Sequence, residues 1–155
     1  MRKTAMLLLL VLVPAVIAQS LSIDIVDYRH PSRYMDKEDC YKGKQNGVEM
    51  YLTDTIIKVR VREGGAPIPN ADVRIVYETV EGRKKETVEE RFKTDEWGTV
   101  EIKLPYVEEG TEVRIDAVAQ PKEGLGGLSG SMKIIVVPYN RGKPRELLSN
   151  FTKDP

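Results

Sequence analysis

Sulfur and imidazole are almost missing from this chain. It has one Cys, Cys40, and one His, His30, in 155 residues. A zinc cage of Cys and His is therefore excluded, and so is an intrachain disulfide. Aromatic residues are sparse at 6%, and Trp97 is the single Trp. Neither sign of charge is in excess, since 24 Lys and Arg balance 24 Asp and Glu. With no basic surplus there is no general electrostatic pull on nucleic acid, and no nucleic-acid partner is expected. A long segment of helical period is also lacking. The hydrophobic fraction of 41% and the charged fraction of 31% suit one folded domain and exclude a disordered chain.

The one long apolar run is at the start. Met1-Arg2-Lys3-Thr4 precede an apolar stretch from Ala5 to Ala18, ahead of polar Gln19. Two positive charges, a short apolar run and a small residue before the junction form a secretory signal peptide, residues 1–18. The run is short of the roughly 20 residues a membrane span needs, so no span is expected after cleavage; retention as an uncleaved anchor is the alternative. Losing Arg2 and Lys3 leaves 22 positive against 24 negative charges. The rest divides into a domain over 19–138 and a tail over 139–155. The expected location is secreted or cell surface. There, Cys40 either stays free or pairs with another chain. Its charged neighbours, Asp36 to Lys42, predict an exposed and inert thiol.

The remainder reads as short strands between turns. Leu21–Ile25 alternates with period two, and the pattern is then lost from Asp27 to Asn46. Val48–Leu52 is a strand candidate. Thr55–Arg62 places Ile57, Val59 and Val61 on one face and Lys58, Arg60 and Arg62 on the other. Two Gly and two Pro make 63–70 a turn. Alternation resumes in Ala71–Thr79, Glu86–Lys93, Thr99–Leu104 and Glu112–Ala119, with a hairpin turn at Glu81-Gly82-Arg83 and another turn over Thr94–Gly98. Gln120–Ser131 holds four Gly and reads as a flexible loop, before a last strand, Met132–Val137. The expected fold is all-β, an antiparallel sandwich of seven or eight strands. Opposite charges on the outward strand faces predict cross-strand ion pairs. High Glu, Lys and Arg with three Gln is the composition of heat-adapted proteins.

Two segments carry a family likeness. Gly65-Ala66-Pro67-Ile68-Pro69-Asn70-Ala71-Asp72-Val73-Arg74-Ile75 resembles the opening hairpin of carboxypeptidase-regulatory-like and bacterial Ig-like (invasin type) domains. Thr94-Asp95-Glu96-Trp97-Gly98-Thr99-Val100 resembles their second turn. The likeness spans roughly Thr55 to Pro138. It implies an Ig-like or prealbumin-like sandwich working as a stalk, spacer or adhesion module. Asn70 stands where many members have Gly; Asn also tolerates the left-handed region.

Candidate chemistry is thin. His30 has no nucleophile in a recognisable motif beside it, and the Gly-rich stretch 124–130 lacks the helix and the Lys-Ser/Thr pair of a phosphate loop. Asp36, Glu38 and Asp39 are the best calcium candidates, without EF-hand spacing. Trp97 at a turn tip is a candidate ligand-binding residue, because an exposed aromatic can stack on a sugar ring. Asn150-Phe151-Thr152 is an N-glycosylation sequon. Leu147, Leu148 and Phe151 are spaced for one face of a short helix in the tail.

The sequence thus predicts a non-catalytic structural or adhesion module, with no cofactor and a protein or surface polymer as partner. The alternatives are a carbohydrate- or peptide-binding module using end loops, and a homo-oligomeric filament or surface-layer subunit. The last rests on Leu21–Ile25, which either folds back or pairs with a neighbour's sheet. Folding back is the expectation. Mass analysis of secreted protein should place the mature N-terminus at Gln19, or within about two residues of it; retention of Met1 would contradict the signal peptide.

Overall fold

In the computed structural model, residues 20–119 and 127–139 are described. Among them are ten strands and one turn of helix: β1 Ser22–Arg29, α1 Lys37–Cys40, β2 Tyr41–Gln45, β3 Val48–Leu52, β4 Ile56–Glu63, β5 Ala66–Pro67, β6 Asp72–Glu81, β7 Lys84–Lys93, β8 Thr99–Lys103, β9 Thr111–Ala119 and β10 Leu128–Val137. They form two sheets. In the smaller, β4 pairs with β1 on one edge and with β8 and the two residues of β5 on the other. The larger has the order β2-β3-β10-β9-β6-β7.

The chain is thus nearly all β and sandwich-like, with two corrections to the expected fold. The strand number is ten, the additions being β2 and β5. The sheets are also of mixed orientation, because β3 and β10 run parallel. The partly apolar strand β3 lies beside the last strand, Val137 opposite Leu52.

The alternating positions meet in the core as their periods require. Ile57, Val59 and Val61 of β4, Val73 and Ile75 of β6, Ile102 of β8, Val113, Ile115 and Ala117 of β9, and Ile134 and Val136 of β10 are all buried. Each large aliphatic side chain so buried stabilises by roughly 1.5–3 kcal/mol. The outer face of the larger sheet is tied by charge, as expected. Asp116 accepts from Arg74 Nε at 3.1 Å, Arg114 Nε at 3.0 Å and Ser131 Oγ at 2.7 Å.

The N-terminal strand folds back onto its own chain. β1 pairs with β4 over Ser22–Arg29, with a register shift between Ile25 and Asp27. It is longer than Leu21–Ile25 because this irregularity lets pairing continue where alternation fails. Leu21 is buried, and its N–H donates to Ser129 O at 2.9 Å, linking the two sheets. A Cβ on Gly130 would overlap the Leu21 carbonyl, so glycine is required for this close approach. The expected loop over 120–131 is corrected here too: Leu128 to Ser131 belong to β10. Residues 120–126 and the tail from 140 onward, including Leu147, Leu148, Phe151 and the Asn150 sequon, lie outside the described residues.

The segment Asp27–Asn46 is more ordered than its polarity implies. Asn46 (φ 52°) and Gly47 (φ 80°) turn β2 into β3, with Gln45 opposite Val48. The rings of Tyr28, Tyr41 and Tyr51 pack together, with centroids 5.3–6.0 Å apart. α1 lies against β1, β2 and β3 and carries Cys40 inward. Cys40 is fully buried, which overturns the expected exposed position. Helical geometry puts it on the inner side while Lys37, Glu38 and Asp39 face water. Burial pushes the thiol's pKa up, opposed by the Thr55 hydroxyl beside it. Cys40 is therefore a small core residue. Cys40→Ser, placing a hydroxyl in that site, should lower stability by about 1–3 kcal/mol in urea titration. The native thiol should resist alkylation until the protein is denatured.

Candidate functional site

Strand β4 presents its polar half on the outer face of the smaller sheet. Because successive side chains alternate, burying Ile57, Val59 and Val61 turns Lys58, Arg60 and Arg62 outward in one row. Cross-strand neighbours determine how much of that charge is countered. Asp24 on β1 is opposite Arg60 and bonds Arg62 Nη2 at 2.5 Å, with Arg60 Nη2 farther off at 3.9 Å. Lys58 is opposite Asp27 and Glu101, but both carboxylates are engaged elsewhere. Lys37 holds Asp27 at 2.7 Å, and Arg29 holds Glu101 at 2.8 Å. Among the described residues Lys58 makes no ion pair, and the Nε atoms of Arg60 and Arg62 are buried without a hydrogen-bond partner.

Trp97 stands beside this row on a turn that the sequence specifies in detail. Asp95 Oδ1 accepts from the N–H of Trp97 at 2.9 Å and of Thr99 at 3.0 Å, and the Thr99 hydroxyl donates to the same carboxylate. Gly98 N donates to Asp95 O at 3.0 Å, the first-to-fourth bond expected of a β-turn. Gly98 has φ +73°, and a Cβ there would come within 2.8 Å of Val61 O. The turn is clamped to β4 through Val61 N donating to Gly98 O at 2.8 Å.

The other resembling segment is fastened to this one. Thr94 Oγ1 donates to Ile68 O at 2.7 Å and accepts from Ala71 N at 2.8 Å; Asn70 N donates to Thr94 O at 3.0 Å. Asn70 adopts φ 57°, the left-handed conformation anticipated for it.

With its backbone so fixed, the Trp97 side chain is 66% exposed. Together with Val26, Pro67, Lys58, Arg60 and Arg62 it borders a shallow depression of about 360 Å³. The structure thus brings Trp97 and the cationic row together. Sequence reading singled out each separately but did not join them, because the link is the β4–β8 pairing. A larger groove, about 920 Å³, lies where β6 and β7 extend past β9 and includes Tyr106, Glu78 and Glu81. Its charged lining is solvated or paired, as with Lys133 and Glu112 at 3.3 Å.

The other candidates separate from this face. Asp36, Glu38 and Asp39, the calcium candidates, lie around α1; among the described residues no group of three or more His, Cys, Asp or Glu side chains is placed to hold a metal. Asp39 Oδ2 instead accepts the Asp36 N–H at 3.3 Å, capping α1. His30 is half-buried. Its Nδ1 accepts from Ser32 N at 3.1 Å, so Nε2 carries the proton and donates to Tyr139 Oη at 3.0 Å. Tyr139 in turn donates a long bond to Asp54 at 3.5 Å.

No known family model, curated protein or solved structure gives a significant match to the chain.

The Asp95 carboxyl titrates below its ordinary value of 3.8, chiefly because Thr99 N–H bonds its charged form, against a smaller opposing effect of burial. A carboxylate with a depressed folded pKa stabilises fully above the unfolded value, and the contribution is lost as pH falls through the folded one. Asp95→Asn should therefore be less stable than wild type near pH 7, and the difference should close as pH falls below the ordinary carboxylate range in a pH series of urea midpoints. A difference independent of pH would show that the carboxylate charge does not hold the turn.

Proposed function

We propose that this chain is a non-catalytic, secreted or cell-surface adhesion module, a sandwich of the carboxypeptidase-regulatory-like or bacterial Ig-like kind. Its contact surface is the outer face of the smaller sheet. One observation carries the reading: the single Trp is held in water, on a turn whose backbone is fixed by Asp95 and Gly98, beside cations of a rigid strand. A large aromatic side chain exposed on a well-ordered scaffold is the kind of residue that dominates recognition surfaces. The turn loses little conformational freedom when a partner is bound, which favours affinity.

Features elsewhere favour a self-contained module over a strand-exchanging filament. β1 pairs with its own β4, and Leu21 is already buried. The outer strand β7 is dense in Lys, Glu and Arg, and β2 carries an irregularity at its edge, both of which discourage pairing with another chain. Trp97→Ala should leave urea stability within about 0.5 kcal/mol, as surface changes do. It should weaken retention on preparations of cell-surface polymers by about tenfold or more, the loss expected of a central aromatic contact. Unchanged retention would remove Trp97 from the contact surface.

A further inference from the structure

Building on this adhesion reading, we propose that the ligand of the Trp97 face is an acidic polysaccharide, a sugar chain bearing repeated carboxylate or sulfate groups. The argument begins with the shape. Small-molecule sites are concave and enclose most of their ligand. The depression beside Trp97 is open rather than enclosing, so a polymer can lie across it. Its two kinds of surface match the two kinds of surface on such a polymer. Trp97, Val26 and Pro67 offer an apolar patch for the C–H face of a sugar ring. Lys58, Arg60 and Arg62 follow at every second residue of β4, steps of about 6.6–6.8 Å, giving a straight row roughly 13 Å long. A linear array of cations fits repeated anions along a chain better than one compact anion.

The local charge balance adds to this. Three cations share one direct counter-charge, Asp24, which sits tightly on Arg62 and loosely on Arg60. Asp27 and Glu101 make their close ion pairs with Lys37 and Arg29, so Lys58 has no direct ion pair among the described residues and feels Asp27 and Asp95 only at longer range. A guanidinium fork binds carboxylates and sulfates by charge-assisted hydrogen bonds, stronger than neutral ones. The mature chain carries 22 positive against 24 negative charges, so attraction to an anionic polymer has to come from a local cationic surface such as this row rather than from net charge.

A single-stranded nucleic acid also offers rings and anions, but such sites stack successive bases on several aromatic side chains. Among the described residues, Trp97 stands without a second aromatic in the depression. Tyr28, Tyr41 and Tyr51 are packed against one another elsewhere.

The test is titration of the mature protein with polygalacturonate, dextran sulfate, neutral dextran and poly(dT), at several salt concentrations. Binding to one or both acidic polysaccharides is expected, weakening as salt rises. Lys58→Gln and Arg60→Gln should each reduce affinity about tenfold and lower the slope of log affinity against log salt by up to about one. Trp97→Ala should reduce affinity with less change in that slope. Equal binding to neutral dextran would overturn the acidic class while leaving a Trp97 adhesion surface intact. Preference for poly(dT) would replace the polysaccharide with nucleic acid. Binding of acidic polymers that ignores all three substitutions would overturn the site. Failure to bind any of the four would overturn this inference alone, since retention of wild type over Trp97→Ala on whole surface preparations judges the adhesion reading separately.

Discussion

The pairing of β4 with strands on both its edges is the constraint on which the rest of the structure depends. It joins β1, β5 and β8 into one sheet and supplies three of the fully buried side chains. The same register turns Lys58, Arg60 and Arg62 outward. A slip by one residue would exchange these two sets, placing three cations in the core. Core formation and the electrostatics of the outer face are therefore set by one condition. Val61 shows the economy of the arrangement: its side chain is in the core, its N–H binds Gly98, and its carbonyl accepts from Ile68.

Much of the core was legible from alternation alone. Every inward position expected of β4 and β9 is buried, and Val73, Ile75, Ile102 and Leu104 follow the same rule. Tyr77, Val88, Phe92 and Val100 are only half-buried, toward less covered parts of the sheets. The turn chemistry of Asp95 and Gly98 was also readable, because few residues satisfy its geometry. The opening from Asp27 to Asn46 was not read well. Tyr41-Lys42-Gly43-Lys44-Gln45 has one apolar residue, so β2 is held by backbone pairing and leaves little pattern. The Asn46-Gly47 pair was the available signal for this hairpin and went unused.

Other differences arise from contacts between distant segments. Cys40 lies in a charged local sequence, yet one turn of helix aims it into the space bounded by β1, β2 and β3. Gly130 resembles a loop residue until the Leu21 carbonyl is placed against it. The parallel placement of β3 beside β10 has no local marker. The candidate site shows the same division. Trp97 as a turn-tip residue and the cationic face of β4 were visible separately, whereas their adjacency required the tertiary fold. Thr94 gives the two resembling segments a shared physical basis, since one hydroxyl connects Ile68 to Ala71.

The position of β10 between β3 and β9 has a consequence for the order of folding. β2 and β3 form a two-stranded hairpin whose only other neighbour in the sheet, among the described residues, is β10. Such a hairpin is marginal by itself in water. Its incorporation must wait for a segment more than seventy residues further along the chain, from Val48–Leu52 to Leu128–Val137. The helix-poor topology adds further pairings of high sequence separation, including β1 with β4. Closing these long loops costs chain entropy before their contacts are gained. The domain therefore belongs with slow-folding all-β proteins, on the order of milliseconds to seconds. Its larger sheet can be completed only after β10 has emerged.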